Sequence, residues 1–308
     1  MHSNHLPRTP LRQCPAALLL LAAGLFSNSA CSSYKAPPAQ RPVAQRPAPT
    51  QVSYQQPAPV ARPKRPAPTN SARSVIVIHG NSGTVLHSKN ANTPMPVAST
   101  QKLLMALILC EAGNMSKSVR VASSDTWVEP AKMGIRAGQV YRKDHLLKAV
   151  LVRSSNDIAA CLARDHSGSE QAFANLMTAR ARQLGMVNSR FQNASGLPAA
   201  NQYSTAHDLG ILASHAMRYS FIRDAVSTKS MIFRFANGTT KRIENTNKVL
   251  LRYPYCTGIK TGYTRASGKC LISSATRNGR NVIVVVLGSS SKYIWDQSQA
   301  LLEWGLDV

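Results

Sequence analysis

From Ser74 onward the chain alternates between two kinds of apolar spacing, and these predict its elements in order. Ser74-Val75-Ile76-Val77-Ile78-His79 is a β-branched run, Gly80-Asn81-Ser82-Gly83 is turn chemistry, and Thr84-Val85-Leu86-His87-Ser88 returns, which predicts a hairpin. Pro96 followed by Ser99 and the apolar run Leu103 to Leu109 predicts a helix that starts near Ser99 and ends near Gly113. Residues 114–142 have no clear period and predict only loops and short elements. Lys143 to Arg153 carries apolar residues at helical spacing (Leu146, Leu147, Val150, Leu151). That helix breaks at Ser154-Ser155-Asn156, and another begins near Asp157. Ser169 to Met186 is amphipathic and ended by Gly185, and Ser204 or Thr205 caps a further helix through Leu209, Leu212 and Met217.

The last third returns to strand spacing. Ser230 to Phe235 and Thr239 to Ile243 flank the hairpin signal Asn237-Gly238. Gly258 to Gly262, Cys270 to Thr276 and Asn281 to Leu287 predict three more strands, with Asn278-Gly279 turning the last pair. A helix from Tyr293 to Trp304 closes the chain. Strands at both ends with helices between predict an α/β fold. Its central antiparallel sheet is built from N- and C-terminal strands, flanked by helices, with a mostly helical subdomain inserted.

Ahead of Ser74 the pattern is different. Arg8 and Arg12 precede a short apolar core, Ala16 to Phe26, and small polar residues, Ser27 to Ala30. That core is far short of the roughly 20 residues a bilayer span needs, so residues 1–30 read as an export signal. A cut after Ala30 exposes Cys31, and small residues directly before a cysteine resemble a bacterial lipoprotein site, with Asn28 standing where an apolar residue is usual. Both a lipidated Cys31 and a plain secretory cleavage fit this stretch. Residues 31–73 hold ten prolines and seven basic residues without one acidic residue. They predict an extended, disordered linker, which sets the folded domain at 74–308.

The formal net charge is +24, and the basic excess continues into residues 74–308, so it is not only a tail effect. Such a balance favours anionic surroundings. Nucleic acid is disfavoured, because the basic linker offers only Tyr34 and Tyr54 as interleaved aromatics. A spacer near an anionic membrane or wall fits better. The histidines are scattered without metal-ligand spacing, so no metal is expected.

Candidate chemistry begins at Val97-Ala98-Ser99-Thr100-Gln101-Lys102. A serine and a lysine three apart share one helix face, at an N-terminus whose free N–H groups favour developing negative charge. A hydroxyl, an amine to take its proton and N–H donors are the parts of covalent acyl transfer. Alone, the spacing is equally a capping serine and a solvated lysine, and it recurs at Ser32/Lys35 and Ser289/Lys292. Two further triplets choose between the copies: Ser154-Ser155-Asn156 between helices and Lys260-Thr261-Gly262 on a strand. Serine-x-x-lysine, serine-x-asparagine and lysine-threonine-glycine, in that order and those contexts, form the set of penicillin-binding proteins and class A β-lactamases. Only Ser99 precedes both partners within the folded region.

From Ser74 to its end the chain therefore resembles the D-alanyl-D-alanine carboxypeptidase family, the low-molecular-weight penicillin-binding proteins with a β-lactamase/DD-peptidase-like fold. Pro96-Val97-Ala98, Phe191 to Pro198 and Gly258 to Thr264 extend the likeness. A class A β-lactamase needs a deacylating glutamate, and Glu170-Gln171-Ala172-Phe173-Ala174-Asn175 does not fit that pattern. The resemblance implies that Ser99 attacks the carbonyl between two D-alanines and that Lys102, uncharged, accepts its proton. It implies that Ser154 relays the proton to the leaving D-alanine and that Asn156 holds the substrate amide. Lys260 and Thr261 then meet the terminal carboxylate, Gly262 admits the substrate strand, and the N–H groups of Ser99 and Tyr263 form the oxyanion hole. No cofactor is implied.

The implied partners are peptidoglycan stem peptides as substrate, β-lactams as covalent inhibitors, and the membrane through a Cys31 lipid and the basic linker. The implied place is the bacterial cell envelope. Cross-link cleavage by a DD-endopeptidase uses the same residues, and an inactive wall- or penicillin-binding module is the alternative of another class. Cys256-Thr257 stands where the family often has an acidic residue, an expected change to the pocket rim. Cys110, Cys161, Cys256 and Cys270 are compatible with disulfides or with buried thiols, and no pairing is assigned.

Overall fold

The computed structural model describes residues 65–308; the expected leader, Cys31, Ser32/Lys35 and most of the expected linker lie outside the described residues. The elements run β1 (Ser74–His79), β2 (Val85–Lys89), α1 (Lys102–Glu111), β3 (Ser118–Arg120), β4 (Val140–Arg142), α2 (Lys143–Arg153) and α3 (Asn156–Ser167). There follow α4 (Glu170–Gln183), α5 (Ala206–Ala216), α6 (Ser220–Ser227), β5 (Ser230–Arg234), β6 (Thr240–Glu244) and α7 (Lys248–Arg252). The chain closes with β7 (Cys256–Thr264), β8 (Gly268–Arg277), β9 (Arg280–Ser289) and α8 (Ile294–Asp307).

The five-stranded sheet has the order β2-β1-β9-β8-β7. Every neighbouring pair in it is antiparallel. It is covered on both faces, and the two-residue period of a strand divides its side chains between two cores. Ile76 and Ile78 of β1 with Ile283, Val285 and Leu287 of β9 join the larger core under α1 to α6. Val75, Val77, Val282, Val284 and Val286 face the smaller core with Leu301, Leu302 and Trp304 of α8. This is why these strands read as continuous apolar runs rather than as alternation. Leu103 to Leu109 of α1 are all buried, as an all-round apolar helix must be.

Three differences from the sequence reading have local causes. The packed chain begins ahead of the expected boundary at Ser74: Ala72 is buried, Trp304 Nε1 donates to Arg65 O at 3.1 Å, and Arg73 donates to Ser267 O at 3.1 Å. A proline-rich composition does not prevent a stretch from lying along a finished surface. α6 and α7 were not anticipated, because the first has no side-chain cap and the second is a single turn. β7 extends past its predicted ends to Cys256 and Thr264, carried by pairing with β8.

Among the described residues no helix is long and apolar enough to cross a membrane. All four described cysteines are free thiols, which answers the open question of disulfides for Cys110, Cys161, Cys256 and Cys270.

Candidate active site

Ser99 lies in a 3-10 turn, Ala98–Gln101, and Lys102 is the first residue of α1. The turn places both at the mouth of the central helix with one facing the other. Lys102 is wholly buried, and its Nζ donates to three oxygens: Ser99 Oγ at 2.8 Å, Asn156 Oδ1 at 2.8 Å and Ser195 O at 2.5 Å. A neutral amine would keep two of these donations, to Asn156 and Ser195, and would accept from Ser99 Oγ once that hydroxyl turned from Ser195 O, to which it donates at 3.1 Å. Burial, and then the like charge of Lys260, hold Lys102 well below the ordinary lysine pKa.

The second triplet owes its position to a sharp break. α2 ends on Ser154 in the left-handed conformation (φ +69°), and Ser155 begins α3 at once. Ser154 Oγ therefore points out of the break, where it accepts from Lys260 Nζ at 2.8 Å. Ser155 Oγ is buried with no hydrogen-bond partner among the described residues, so of the two adjacent serines it is Ser154 whose hydroxyl meets Lys260. Asn156 is occupied at both ends, its amide oxygen by Lys102 and its Nδ2 by Pro130 O at 2.8 Å. It holds the lysine amine in place.

Lys260 is equally buried, and burial lowers its pKa to about 7. Its Nζ faces Ser154 and Thr261 O, so the group open to the cleft is the Thr261 side chain. At Gly262 the strand runs against the turn of Ser99: a Cβ there would lie 2.9 Å from Val97 O and 3.0 Å from Ser99 N. Only glycine lets β7 come this close. Tyr263 is 58% exposed beside it, with Lys269 Nζ 4.3 Å from its ring centroid.

These residues share one cleft of about 630 Å³, lined by Ser99, Ser154, Thr261, Gly262 and Tyr263 and rimmed by Lys132, Arg153, Lys248 and Lys269 against one acid, Glu244. Lys102, Asn156 and Lys260 lie beneath it. Ser289 does not join them; it is buried in β9. Cys256 and Thr257 do not line the cleft either, which corrects the expected change to its rim. Thr257 instead bonds Ser274 Oγ at 2.6 Å on the far side of the strand end.

Three contributors carried no assigned role in the sequence. Ser195 supplies the carbonyl that accepts from both Lys102 and Ser99 Oγ (3.1 Å). Its segment, Phe191 to Pro198, carries in the sequence only the family likeness. Asp157 accepts from Met133 N at 2.9 Å and Gly134 N at 2.8 Å, fixing the loop that holds Asn156. Thr246 lines the cleft with its hydroxyl 2.6 Å from that of Thr261. A main-chain acceptor, a loop anchor and a lone threonine leave no spacing to detect.

Comparison with known proteins finds relatives of the same family in sequence and in fold. The chain is 31% identical over 227 residues to the D-alanyl-D-alanine carboxypeptidase DacF of Bacillus subtilis, covering 72% of this chain and 58% of that relative. It is 32% identical over 234 residues to the D-alanyl-D-alanine endopeptidase of Escherichia coli, covering 73% of this chain and 74% of that one. The crystal structure of a D-alanyl-D-alanine carboxypeptidase from Mycobacterium tuberculosis superposes with a TM-score of 0.76 at 32% identity, over 80% of this chain and 96% of the other. A family model described as D-alanyl-D-alanine carboxypeptidase matches residues 61–291, three-quarters of the sequence, and the chain belongs to that family.

Proposed function

We propose that this protein is a serine-type D-alanyl-D-alanine carboxypeptidase that removes the terminal D-alanine from peptidoglycan stem peptides, with Ser99 as nucleophile. One observation carries the reading: a fully buried lysine amine, its pKa held well below the ordinary lysine value by burial and the like charge of Lys260, lies 2.8 Å from the hydroxyl it is to deprotonate.

Ser99 Oγ bonds to the carbonyl carbon of the penultimate D-alanine as its proton passes to Lys102. Main-chain N–H groups of Ser99 and Tyr263 face the oxygen on which charge develops. The C–N bond breaks, and the proton returns by way of Lys102 and Ser154 to the leaving nitrogen. Lys260, 2.8 Å from Ser154 Oγ, compensates charge on that oxygen. Thr261 receives the substrate carboxylate, with the Lys260 charge behind it. Water then cleaves the acyl-enzyme and frees Ser99. A β-lactam acylates the same oxygen. The cationic rim favours an anionic stem peptide.

The E. coli relative makes cross-link cleavage the second activity to assay. The full chain is incubated with pentapeptide and with cross-linked muropeptides, following D-alanine and dimer cleavage. Turnover of neither, together with no mass added at Ser99 by a penicillin, removes the enzyme reading. Export through residues 1–30 and a lipid on Cys31, reinforced by the basic linker, complete the proposal and place the domain at the envelope. A mature chain that begins elsewhere, or carries no added mass at Cys31, removes the anchor.

A further inference from the structure

Thr246 stands in the turn between β6 and α7, and that turn is built to hold it still. Asn245 N donates to Lys229 O at 2.8 Å and its Nδ2 to Thr228 O at 3.0 Å. Asn247, wholly buried, caps α7 by accepting from Val249 N at 3.0 Å and donates to Gly258 O at 2.9 Å. Thr246 N itself donates to Val152 O at 3.2 Å. Two buried asparagines thus bracket one threonine, joining it to the segment after α6 and to β7, while its own N–H joins it to α2. The result is a hydroxyl fixed 2.6 Å from Thr261 Oγ1, at the wall of the cleft.

A hydroxyl has one hydrogen and two lone pairs, so a pair in contact uses one hydrogen between its oxygens and has one left over. A carboxylate is purely an acceptor. If Thr261 donated to Thr246, its lone pairs would face the ligand and repel it. If Thr246 donates, the Thr261 hydrogen is free to point into the cleft, and the chain Thr246 to Thr261 to carboxylate is polarised in one direction. We propose that Thr246 is a positioning residue of the carboxylate subsite, acting through Thr261 to select substrates and inhibitors that end in a free carboxylate. This rests on the peptidase reading above and adds to it a residue and a selectivity.

The test compares acylation of Ser99 by benzylpenicillin and by its methyl ester, read as protein mass, in wild type, Thr246→Val, Thr246→Ala and Thr246→Ser. Wild type should prefer the acid. Valine, which keeps the shape and removes the hydroxyl, should shrink that preference roughly tenfold, chiefly by slowing the acid. Serine should restore it. Alanine should behave as valine, and serves in its place if the valine variant melts at lower temperature. An acid-to-ester ratio unchanged in Val and Ala, or a Ser variant that behaves like Val, overturns the proposal while leaving the peptidase reading standing. A wild type that neither releases D-alanine from pentapeptide nor takes up penicillin overturns both.

Discussion

The main-chain oxygen of Ser195 accepts a hydrogen bond from Lys102 Nζ at 2.5 Å, so a loop 93 residues further along the chain fixes the amine beside the nucleophile. The loop is itself anchored, by Asn193 Oδ1 accepting from Gly196 N at 2.7 Å and by Glu170 Oε1 accepting from Ala194 N at 3.1 Å. Gly196 sits at φ +85°, where a Cβ would lie 2.2 Å from Ala98 O. That is backbone against backbone and has no soft side chain to yield.

Gly196→Ala should therefore strain the loop and pull the Ser195 carbonyl from Lys102. The expected cost is about 1–3 kcal/mol of stability, or more if the turn of Ala98 shifts. Penicillin acylation should fall by at least an order of magnitude in the protein that still folds. Thermal denaturation and acylated mass measure the two effects separately; an unchanged acylation rate would remove the loop from the site.

Two buried lysines set the pH dependence. Lys102 must be neutral to accept a proton, so acylation should fall as pH drops and its amine charges. Lys260 must be charged to steady Ser154 and the carboxylate, and its pKa is about 7 in the free protein. Raising the pH through that value discharges it, so the apparent second-order rate should fall again on the alkaline side. The profile of acylation against pH is expected to be bell-shaped. Lys260→Arg, whose guanidinium stays charged, should flatten the alkaline limb, and a limb that persists in that variant would assign it to another group.

Ser99 and Ser289 share the same spacing to a lysine and lie in opposite settings. Ser99→Ala should abolish covalent labelling by a fluorescent penicillin. Ser289 Oγ is buried without a hydrogen-bond partner among the described residues, so Ser289→Ala should keep labelling and cost little stability. Labelling that survives in Ser99→Ala and vanishes in Ser289→Ala would reverse the assignment.

The strands, the long helices and the order of the three triplets were legible because each rests on local spacing: period two for β1 and β9, a helical apolar face for α2, fixed intervals for Ser99 and Lys102. What local spacing cannot carry is the direction of a side chain after folding. The triplets single out Asn156 and Lys260, yet they do not tell that the first meets Lys102 and the second Ser154. Both side chains are buried beneath the cleft floor, and burial depends on what packs above them. Ser195 acts through its carbonyl, which every residue possesses, and Thr246 through a turn held by asparagines. Neither choice leaves a trace in composition.

The rim of the cleft yields a last expectation. Lys132, Arg153, Lys248 and Lys269 surround it with one acid, Glu244, among them. Arg153 and Lys269 are exposed or half-buried, so their field acts through solvent and is screened over about 8 Å at physiological salt. A stem peptide that carries carboxylates should then bind more weakly as salt rises. KM is expected to increase several-fold between about 20 mM and 0.5 M salt, where screening shortens from roughly 20 to 4 Å. The chemical step lies beneath the rim with buried lysines, so kcat should change little. Replacing Lys132 and Arg153 together by glutamine should raise KM at low salt and flatten its dependence on salt. A KM that ignores ionic strength in the unaltered protein would show that the rim takes no part in recognition, and that substrate is held by the floor alone.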